Sequence, residues 1–156
     1  DKVLYLGAAT GTTVSHVSDI AGPLGVVYCV DFSERVVKDL LNNVCAYRHN
    51  TIPLLVDARY PEAYRMMVEK VDFIYCDIAQ PEQAKILADN ADMFLKTGGK
   101  ALLIIKARSI DVTKEPSEVF KREIEALSKR GFTVTESINL EPYDRDHSLV
   151  VAETKR

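Results

Sequence analysis

Four titratable side chains stand at predicted strand termini: Asp31, Asp77, Lys106 and His147. Asp77 and Lys106 close the fourth and fifth strand-like runs, and neighbouring strands of a sheet lie about 4.8 Å apart. A carboxylate and an ammonium can therefore meet at that edge, and a final antiparallel strand would bring His147 there too. Such a cluster can orient a substrate hydroxyl and assist removal of its proton. Taken singly, Lys106 is more often a strand-end lysine that reaches water, and His147 a turn residue.

A small-residue turn follows the first strand-like run, from Gly7 to Thr13. Gly7 and Gly11 permit positive φ and let the backbone approach a ligand closely. Asp31, twenty residues after Gly11, ends the second run, where nucleotide-binding folds carry the carboxylate that accepts hydrogen bonds from a ribose diol. The Gly-x-x-x-Gly spacing has neither a dinucleotide nor a triphosphate signature. We therefore expect a nucleoside with an uncharged or cationic tail, such as S-adenosylmethionine, with a ligand-free tight turn as the alternative.

Two further segments are candidates for an adenine pocket. Phe32 can pack on the adenine face, or it can be a core residue that starts a helix. Asp57, which follows the third run together with Ala58, can accept from an exocyclic amine, or it can be an ordinary loop residue. Basic residues on predicted loops of the same edge could contact RNA phosphates: Arg59, Arg108, Lys114 and Arg145.

Strand-like and helix-like segments alternate along the chain, which predicts an α/β fold with a parallel sheet between helices. The predicted strands are Lys2–Leu6, Val26–Val30, Ile52–Val56, Val71–Asp77, Ala101–Lys106, Thr133–Leu140 and Ser148–Glu153. The predicted helices are Thr12–Ala21, Ser33–Tyr47, Glu62–Val68, Pro81–Lys96 and Pro116–Arg130, with Pro81 and Pro116 in first turns and Gly98 and Gly99 closing the fourth helix. A short link joins the last two strands and predicts an antiparallel hairpin. Six parallel strands with one final antiparallel strand form a three-layer, Rossmann-like sheet of seven strands, as in class I S-adenosylmethionine-dependent methyltransferases.

The composition is typical of one globular domain: 156 residues, 47% hydrophobic and 28% charged. No apolar run approaches the roughly 18 residues that cross a bilayer, so no membrane association is expected. Cys29, Cys45 and Cys76 are expected to be reduced thiols, and the three histidines stand too far apart for a zinc site, so no metal is expected. The net charge of −3 disfavours tight RNA binding by the chain alone.

Five segments in order resemble the fibrillarin family over essentially the whole chain: Gly7–Asp19, Asp31–Ser33, Asp57–Arg59, Asp77–Pro81 and Leu140–His147. This family comprises the guide-RNA-dependent 2′-O-methyltransferases of box C/D ribonucleoproteins, and residues 106–116 look more like its archaeal members. Many relatives have Glu where this chain has Asp31. Family members also carry an N-terminal extension with a further active-site lysine, so residues 1–156 are expected to be a single methyltransferase domain without that extension.

The resemblance implies S-adenosyl-L-methionine as cofactor and Asp77, Lys106 and His147 as the remaining catalytic residues. The implied cofactor-binding residues are Gly7, Ala8, Ala9, Gly11, Thr12, Thr13, Asp31, Phe32, Asp57, Ala58, Asp77, Ile78, Ala79 and Gln80. The implied partners are a box C/D guide RNA, its target rRNA or tRNA, a Nop-domain scaffold protein and a kink-turn-binding protein. The implied location is cytoplasmic for an archaeal-type protein and nucleolar for a eukaryotic one.

Two other classes of function are compatible with parts of the pattern. A nicotinamide-dependent oxidoreductase would use the same kind of sheet, although the turn after the first strand lacks a pyrophosphate signature. A non-catalytic assembly module would keep the fold and a partner surface but would not need Asp77, Lys106 and His147. A protein glutamine, which some eukaryotic relatives methylate, is an alternative substrate.

Overall fold

A single seven-stranded sheet organises the chain in the computed structural model, which describes residues 1–140 and 147–154. The strands are β1 (Lys2–Leu6), β2 (Val26–Asp31), β3 (Thr51–Leu55), β4 (Val71–Cys76), β5 (Leu95–Lys106), β6 (Phe132–Asn139) and β7 (His147–Thr154). They lie in the order β3-β2-β1-β4-β5-β7-β6. Pairing is parallel from β3 to β5 and antiparallel on both sides of β7. The predicted α/β class and the antiparallel last strand are confirmed.

Five α-helices connect and cover the strands: α1 (Thr12–Ala21), α2 (Glu34–Leu40), α3 (Gln83–Phe94), α4 (Ala107–Ile110) and α5 (Pro116–Lys129). A π-helical turn, Leu41–Cys45, continues α2, and a single 3₁₀ turn covers Pro61–Tyr64. The Ser33 hydroxyl caps α2 by accepting a hydrogen bond from the Val36 amide at 3.4 Å. Pro116 occupies the first turn of α5, as predicted, where its missing amide proton costs no helical hydrogen bond.

The two faces of the sheet bury separate apolar clusters, because side chains alternate along each strand. One face packs residues of β1 and β2, including Tyr5 and Cys29, against Val14, Leu40 and Val44 of the first two helical segments. The other face carries the larger cluster, in which Leu6, Ile74 and Leu103 are covered by α3 and α5. Helices on both faces leave the carboxyl ends of the parallel strands, here called the carboxyl edge, as the place for a ligand.

Three local predictions were wrong. The helix predicted over Glu62–Val68 is only the 3₁₀ turn, and α3 begins at Gln83, so Pro81 precedes the helix instead of lying in its first turn. Gly98 and Gly99 lie inside β5, not after a helix. Leu95 pairs with Val71, but the next pair is Lys100 with Phe73. A register shift between these two pairs accommodates the extra residues of β5. The short helix α4 was not predicted.

Candidate active site

The turn after β1 crosses the carboxyl edge between β2 and β4. The amides of Gly7 and Ala8 both donate to the Val30 carbonyl, at 2.9 and 3.0 Å, and the Asp77 amide donates to Leu6 at 3.0 Å. A Cβ at Gly7 would lie 2.3 Å from the Asp77 carbonyl oxygen. A Cβ at Gly11 would meet Val44 and Leu40. Both glycines therefore have a packing reason to lack a side chain, and their close approach to a ligand stays a prediction.

Asp31 ends β2 beside this turn, and two backbone amides fix its carboxylate. The Ala9 amide donates to Oδ2 and the Ser33 amide donates to Oδ1, both at 3.1 Å. Ala9 has a positive φ of 51°, which directs its amide toward the carboxylate. Each oxygen keeps a second lone-pair direction free of these amides, so a fixed acceptor pair faces the carboxyl edge.

Phe32 and Asp57 lie beside Asp31 on a small cavity lined by Gly7, Val30, Asp31, Phe32, Val56, Asp57, Ala58, Arg59, Ile78, Gln80 and Ile86. Phe32 is 63% exposed, which excludes the alternative that it is a core residue. Both Asp57 oxygens accept from the Arg59 guanidinium, at 2.7 to 3.1 Å, and Oδ1 also accepts the Arg59 amide at 2.9 Å. These hydrogen bonds hold the pKa of Asp57 below its ordinary value, so this carboxylate stays ionised.

Asp77 and Lys106 meet at the ends of β4 and β5, as the predicted strand order requires. Lys106 Nζ lies 2.6 Å from Asp77 Oδ1, and the two side chains are 24% and 26% exposed. Within the described part of the chain, this buried oxygen has no hydrogen bond of good geometry, so the ion pair compensates its burial. The catalytic role of the pair stays a prediction.

His147 opens β7 directly opposite Lys106 in the antiparallel register. Its side chain is half-buried on the same face as Lys106 and Asp77. The site residues therefore form a row across five adjacent strands, β2-β1-β4-β5-β7, in the order Asp31, Gly7, Asp77, Lys106 and His147. Asp31 and Asp77 are two strand spacings apart, about 10 Å, so this row can accommodate an extended ligand of nucleoside size.

The α1 N-terminus lies at the same edge. Gly11 caps it with φ 102°, and no acidic residue stands in the first turn, so the exposed amides near Thr12 and Thr13 favour a carboxylate. Tyr5 stacks on Tyr75, with ring centroids 4.7 Å apart. Burial and the nearby Asp77 charge raise the pKa of both phenols, which keeps them neutral beneath the ion pair.

The predicted basic residues are distributed around this edge. Arg59 pairs with Asp57, Arg108 donates to the Val112 carbonyl at 3.3 Å, and Lys114 is exposed in the loop before α5. Arg145 lies outside the described residues. In the same described ranges, no group of His, Cys, Asp or Glu could hold a metal ion, and no helix has the length and apolarity to cross a membrane. Cys29, Cys45 and Cys76 are free.

Comparison with known proteins decides the family. The fibrillarin family model matches residues 1–156. The chain belongs to the fibrillarin family. A fibrillarin-like rRNA/tRNA 2′-O-methyltransferase from Staphylothermus marinus is 58% identical over 155 residues, which are 99% of this chain and 66% of the relative. The chain therefore spans slightly less than two thirds of that relative's length.

Two solved fibrillarin structures superpose closely on this chain. Aeropyrum pernix fibrillarin with natively bound S-adenosyl-L-methionine has a TM-score of 0.89 and 55% identity, and the match covers 97% of this chain and 66% of that protein. Fibrillarin in a complex with Nop5p has a TM-score of 0.94 and 47% identity, over 99% of this chain and 72% of that one. The fold is therefore the class I methyltransferase fold that the sequence predicted.

One buried polar residue of this fibrillarin fold was not anticipated. The Gln83 side chain is fully buried, and its carboxamide contacts the backbone of Ile78, Ile104 and Lys106. Residues 80–85 are mostly polar or charged, so the sequence does not distinguish Gln83 from an exposed helix residue.

Proposed function

We propose that this chain is the catalytic domain of an RNA ribose 2′-O-methyltransferase that uses S-adenosylmethionine. The observation that carries the proposal is the row of residues at the carboxyl edge. In this row, the Asp31 carboxylate lies on one side of the turn after β1, and the ion pair of Asp77 and Lys106 lies on the other. The Staphylothermus marinus relative is named for this activity, and the Aeropyrum pernix relative binds S-adenosylmethionine.

The residues of this chain fit that cofactor. Asp31 offers two anchored oxygens to a ribose diol, Phe32 offers an exposed aromatic face, and Asp57 offers an ionised acceptor to an adenine amine. The α1 N-terminus, with Thr12 and Thr13, suits the carboxylate of a methionine tail. When bound, the cofactor supplies an electrophilic methyl group.

Lys106 and Asp77 then act on the substrate side. The Lys106 ammonium, held by Asp77 at 2.6 Å, orients a ribose 2′-hydroxyl and stabilises negative charge that develops on its oxygen. A 2′-hydroxyl is a weak acid, so its proton leaves in concert with methyl transfer or passes to water. His147 lies opposite Lys106 and is the last polar residue of the row at the carboxyl edge. Alignment of the reacting atoms within about 3–3.5 Å supplies much of the rate enhancement.

Target selection rests on partners. With a net charge of −3, the chain has only a local basic edge for phosphates, including Arg108 and Lys114. A guide RNA that pairs with the target, together with a scaffold protein, would bring the nucleotide to that edge. The fibrillarin relative in complex with Nop5p supports a Nop-domain scaffold. A box C/D guide RNA and a kink-turn-binding protein complete the proposed assembly.

Two variants test the proposal in a single-turnover methylation assay on guide-bound RNA. Lys106→Ala should lower the methylation rate at saturating cofactor by about 100-fold or more, with S-adenosylmethionine affinity nearly unchanged. Asp31→Ala should mainly weaken cofactor binding, since it removes the diol acceptor. A target with a 2′-deoxy nucleotide at the modified position serves as the control.

Three results would contradict the proposal. Methylation of the 2′-deoxy target would exclude the ribose hydroxyl as acceptor. Normal turnover with lost cofactor affinity in Lys106→Ala would refute the role of that lysine. Calorimetric binding of NAD instead of S-adenosylmethionine would favour an oxidoreductase.

A further inference from the structure

The pairing of β4 with β5 stops before the site begins. Cys76 lies opposite Leu103, and this is the last paired position between the two strands. Continued in register, Ile78 would lie opposite Ile105. The Asp77 amide faces β1 and donates to Leu6, at 3.0 Å, so Ile78 is the next residue whose peptide would face β5. The two strands that carry Asp77 and Lys106 are therefore not held together by backbone hydrogen bonds at the ion pair.

The Gln83 carboxamide fills this gap. Its Nε2 donates to the carbonyl of Ile104 at 2.9 Å and to the carbonyl of Ile78, and its Oε1 accepts from the Lys106 amide at 3.4 Å. In a parallel ladder, a residue opposite Ile105 would donate to the carbonyl before it and accept from the amide after it. The Ile104 carbonyl and the Lys106 amide are those two groups. Gln83 thus takes the place of a β4 peptide opposite Ile105.

The two hydrogen bonds that Gln83 donates are buried, and the one that it accepts is partly buried. Gln83 is 0% exposed, and its removal would leave the Ile104 carbonyl and the Lys106 amide without these partners, whereas the Ile78 carbonyl would keep the Gln80 amide at 3.0 Å. A primary amide is the side-chain group that supplies two donors and an acceptor within one planar unit, as the three backbone groups require. A carboxylate lacks the donors, and an asparagine is one methylene shorter.

We propose that Gln83 is a positioning residue for methyl transfer, because it fixes the separation of the β4 and β5 ends and thereby the contact between Lys106 and Asp77. This inference rests on the proposed function of that pair. Gln83 touches neither side chain of the pair directly. Its effect passes through the backbone of Lys106 on one side and of Ile78, next to Asp77, on the other.

Gln83→Met tests the proposal, because it preserves most of the side-chain volume and removes all three hydrogen bonds. Asn50→Leu is the matched control: Asn50 donates to the carbonyls of Ser18 and Gly22, both at 2.9 Å, at the opposite edge of the sheet. Both variants are made in the complete protein, assembled on a guide RNA with target. Both should lower the melting temperature.

Only Gln83→Met should lower the single-turnover rate at saturating S-adenosylmethionine, by about 10-fold or more, while the Kd for the cofactor stays within about twofold. In a Lys106→Ala background, Gln83→Met should cause no further loss, since the residue acts through that lysine. An equal loss in both backgrounds, or a wild-type rate for Gln83→Met, would overturn the proposal.

Amide hydrogen exchange gives a readout that does not depend on activity. The Lys106 amide should exchange faster in Gln83→Met than in the wild type and in Asn50→Leu. Unchanged protection of the Lys106 amide would overturn the proposed role of Gln83, whether or not the wild-type complex is active. An inactive wild-type complex would instead contradict the proposed function. If Gln83→Met does not fold, Gln83→Asn keeps a carboxamide that is too short and should give the same pattern.

Discussion

At the residue scale, Asp57 has a single dominant partner. Arg59 donates to it from its guanidinium and from its amide, and its cationic carbon also lies 5.3 Å from the Tyr60 ring centroid. A carboxylate has about four lone-pair directions, so Arg59 can orient Asp57 and still leave room for a purine amine. We therefore expect Arg59 to orient the Asp57 carboxylate, and its predicted phosphate contact stays a prediction.

Arg59→Gln should weaken S-adenosylmethionine binding roughly twofold to fivefold, the range of an exposed ion pair. Arg59→Lys should weaken it too, because lysine keeps the charge but cannot make the bidentate contact. Isothermal titration calorimetry measures both. Arg65→Gln, in an exposed residue outside the cavity, is the control. Unchanged affinity in both Arg59 variants would show that cofactor binding does not depend on the contacts between Arg59 and Asp57.

Gly11 gives a second prediction at this scale, because it combines a positive φ with a crowded surrounding. A Cβ there would lie 2.5 Å from Val44 Cγ2 and 2.7 Å from Leu40 Cδ1, with φ +102°. Gly11→Ala should lower the free energy of unfolding by about 2–4 kcal/mol, from backbone strain and overpacking together. Gly131→Ala, at φ +90° with no atom within 4 Å of its Cβ, should cost only about 1–2 kcal/mol. Denaturant unfolding compares the two; equal losses would refute the packing role.

At the element scale, a buried acid lies between α3 and α5. Glu123 of α5 is 6% exposed, and the Ala84 amide, at the start of α3, is near enough to favour its charged form. Burial raises the pKa of Glu123, although the nearby Arg122 and the Ala84 amide oppose the shift. No N-cap side chain accepts a hydrogen bond from α3, so a carboxylate near its first turn interacts favourably with the helix dipole.

The raised pKa of Glu123 sets the sign of a pH effect. Between its ordinary value and its folded value, the native state binds more protons than the unfolded state, so stability falls as pH rises through that window. Glu123→Gln removes the buried charge at nearly constant side-chain volume and should raise the free energy of unfolding at neutral and higher pH. The gain should shrink as pH falls toward 4.5. Denaturant unfolding between pH 4.5 and 8 measures it.

Glu125→Gln is the control for this pH effect, because Glu125 is exposed on the same helix. It should change stability by less than about 0.5 kcal/mol at every pH. A gain for Glu123→Gln that does not vary with pH would show that ionisation is not its cause.

The elements that local patterns specify are those that could be predicted. Asp77 and Lys106 follow short apolar runs, so their strand-end positions follow from the sequence alone. Gln83 could not be foreseen, since its contacts join residues 5, 21 and 23 positions away and depend on two strands separating. The start of β5 was missed for a similar reason: Leu95 pairs with Val71 across a register shift that no local propensity reveals.

At the scale of the whole molecule, charge limits what the chain does alone. The net charge is −3, and the basic residues of the carboxyl edge are few. Binding of the isolated chain to a guide–target RNA duplex should be weak, and its affinity should fall only modestly with salt because few phosphates are neutralised. Tight, sequence-selective binding would contradict the proposal that partners choose the target.

Lys114→Ala should weaken that RNA binding and reduce the slope of log affinity against log salt by about one. The loss should be similar for every RNA sequence, because a phosphate contact carries no base information. Fluorescence anisotropy over a series of KCl concentrations measures it. Lys129→Ala, in the last turn of α5 and therefore near the opposite edge of the sheet, is the control. Equal effects of the two variants would mean that binding is not local to the carboxyl edge.

The interior place of β7 affects how this protein is made. β7 follows β6 in the chain but lies between β5 and β6. While the polypeptide emerges from the ribosome, β6 therefore has no neighbour to pair with, and Lys106 lacks the strand that carries His147. Under the proposed function, the strand that carries the nucleoside acceptor Asp31 is therefore synthesised well before the strand that completes the surroundings of Lys106.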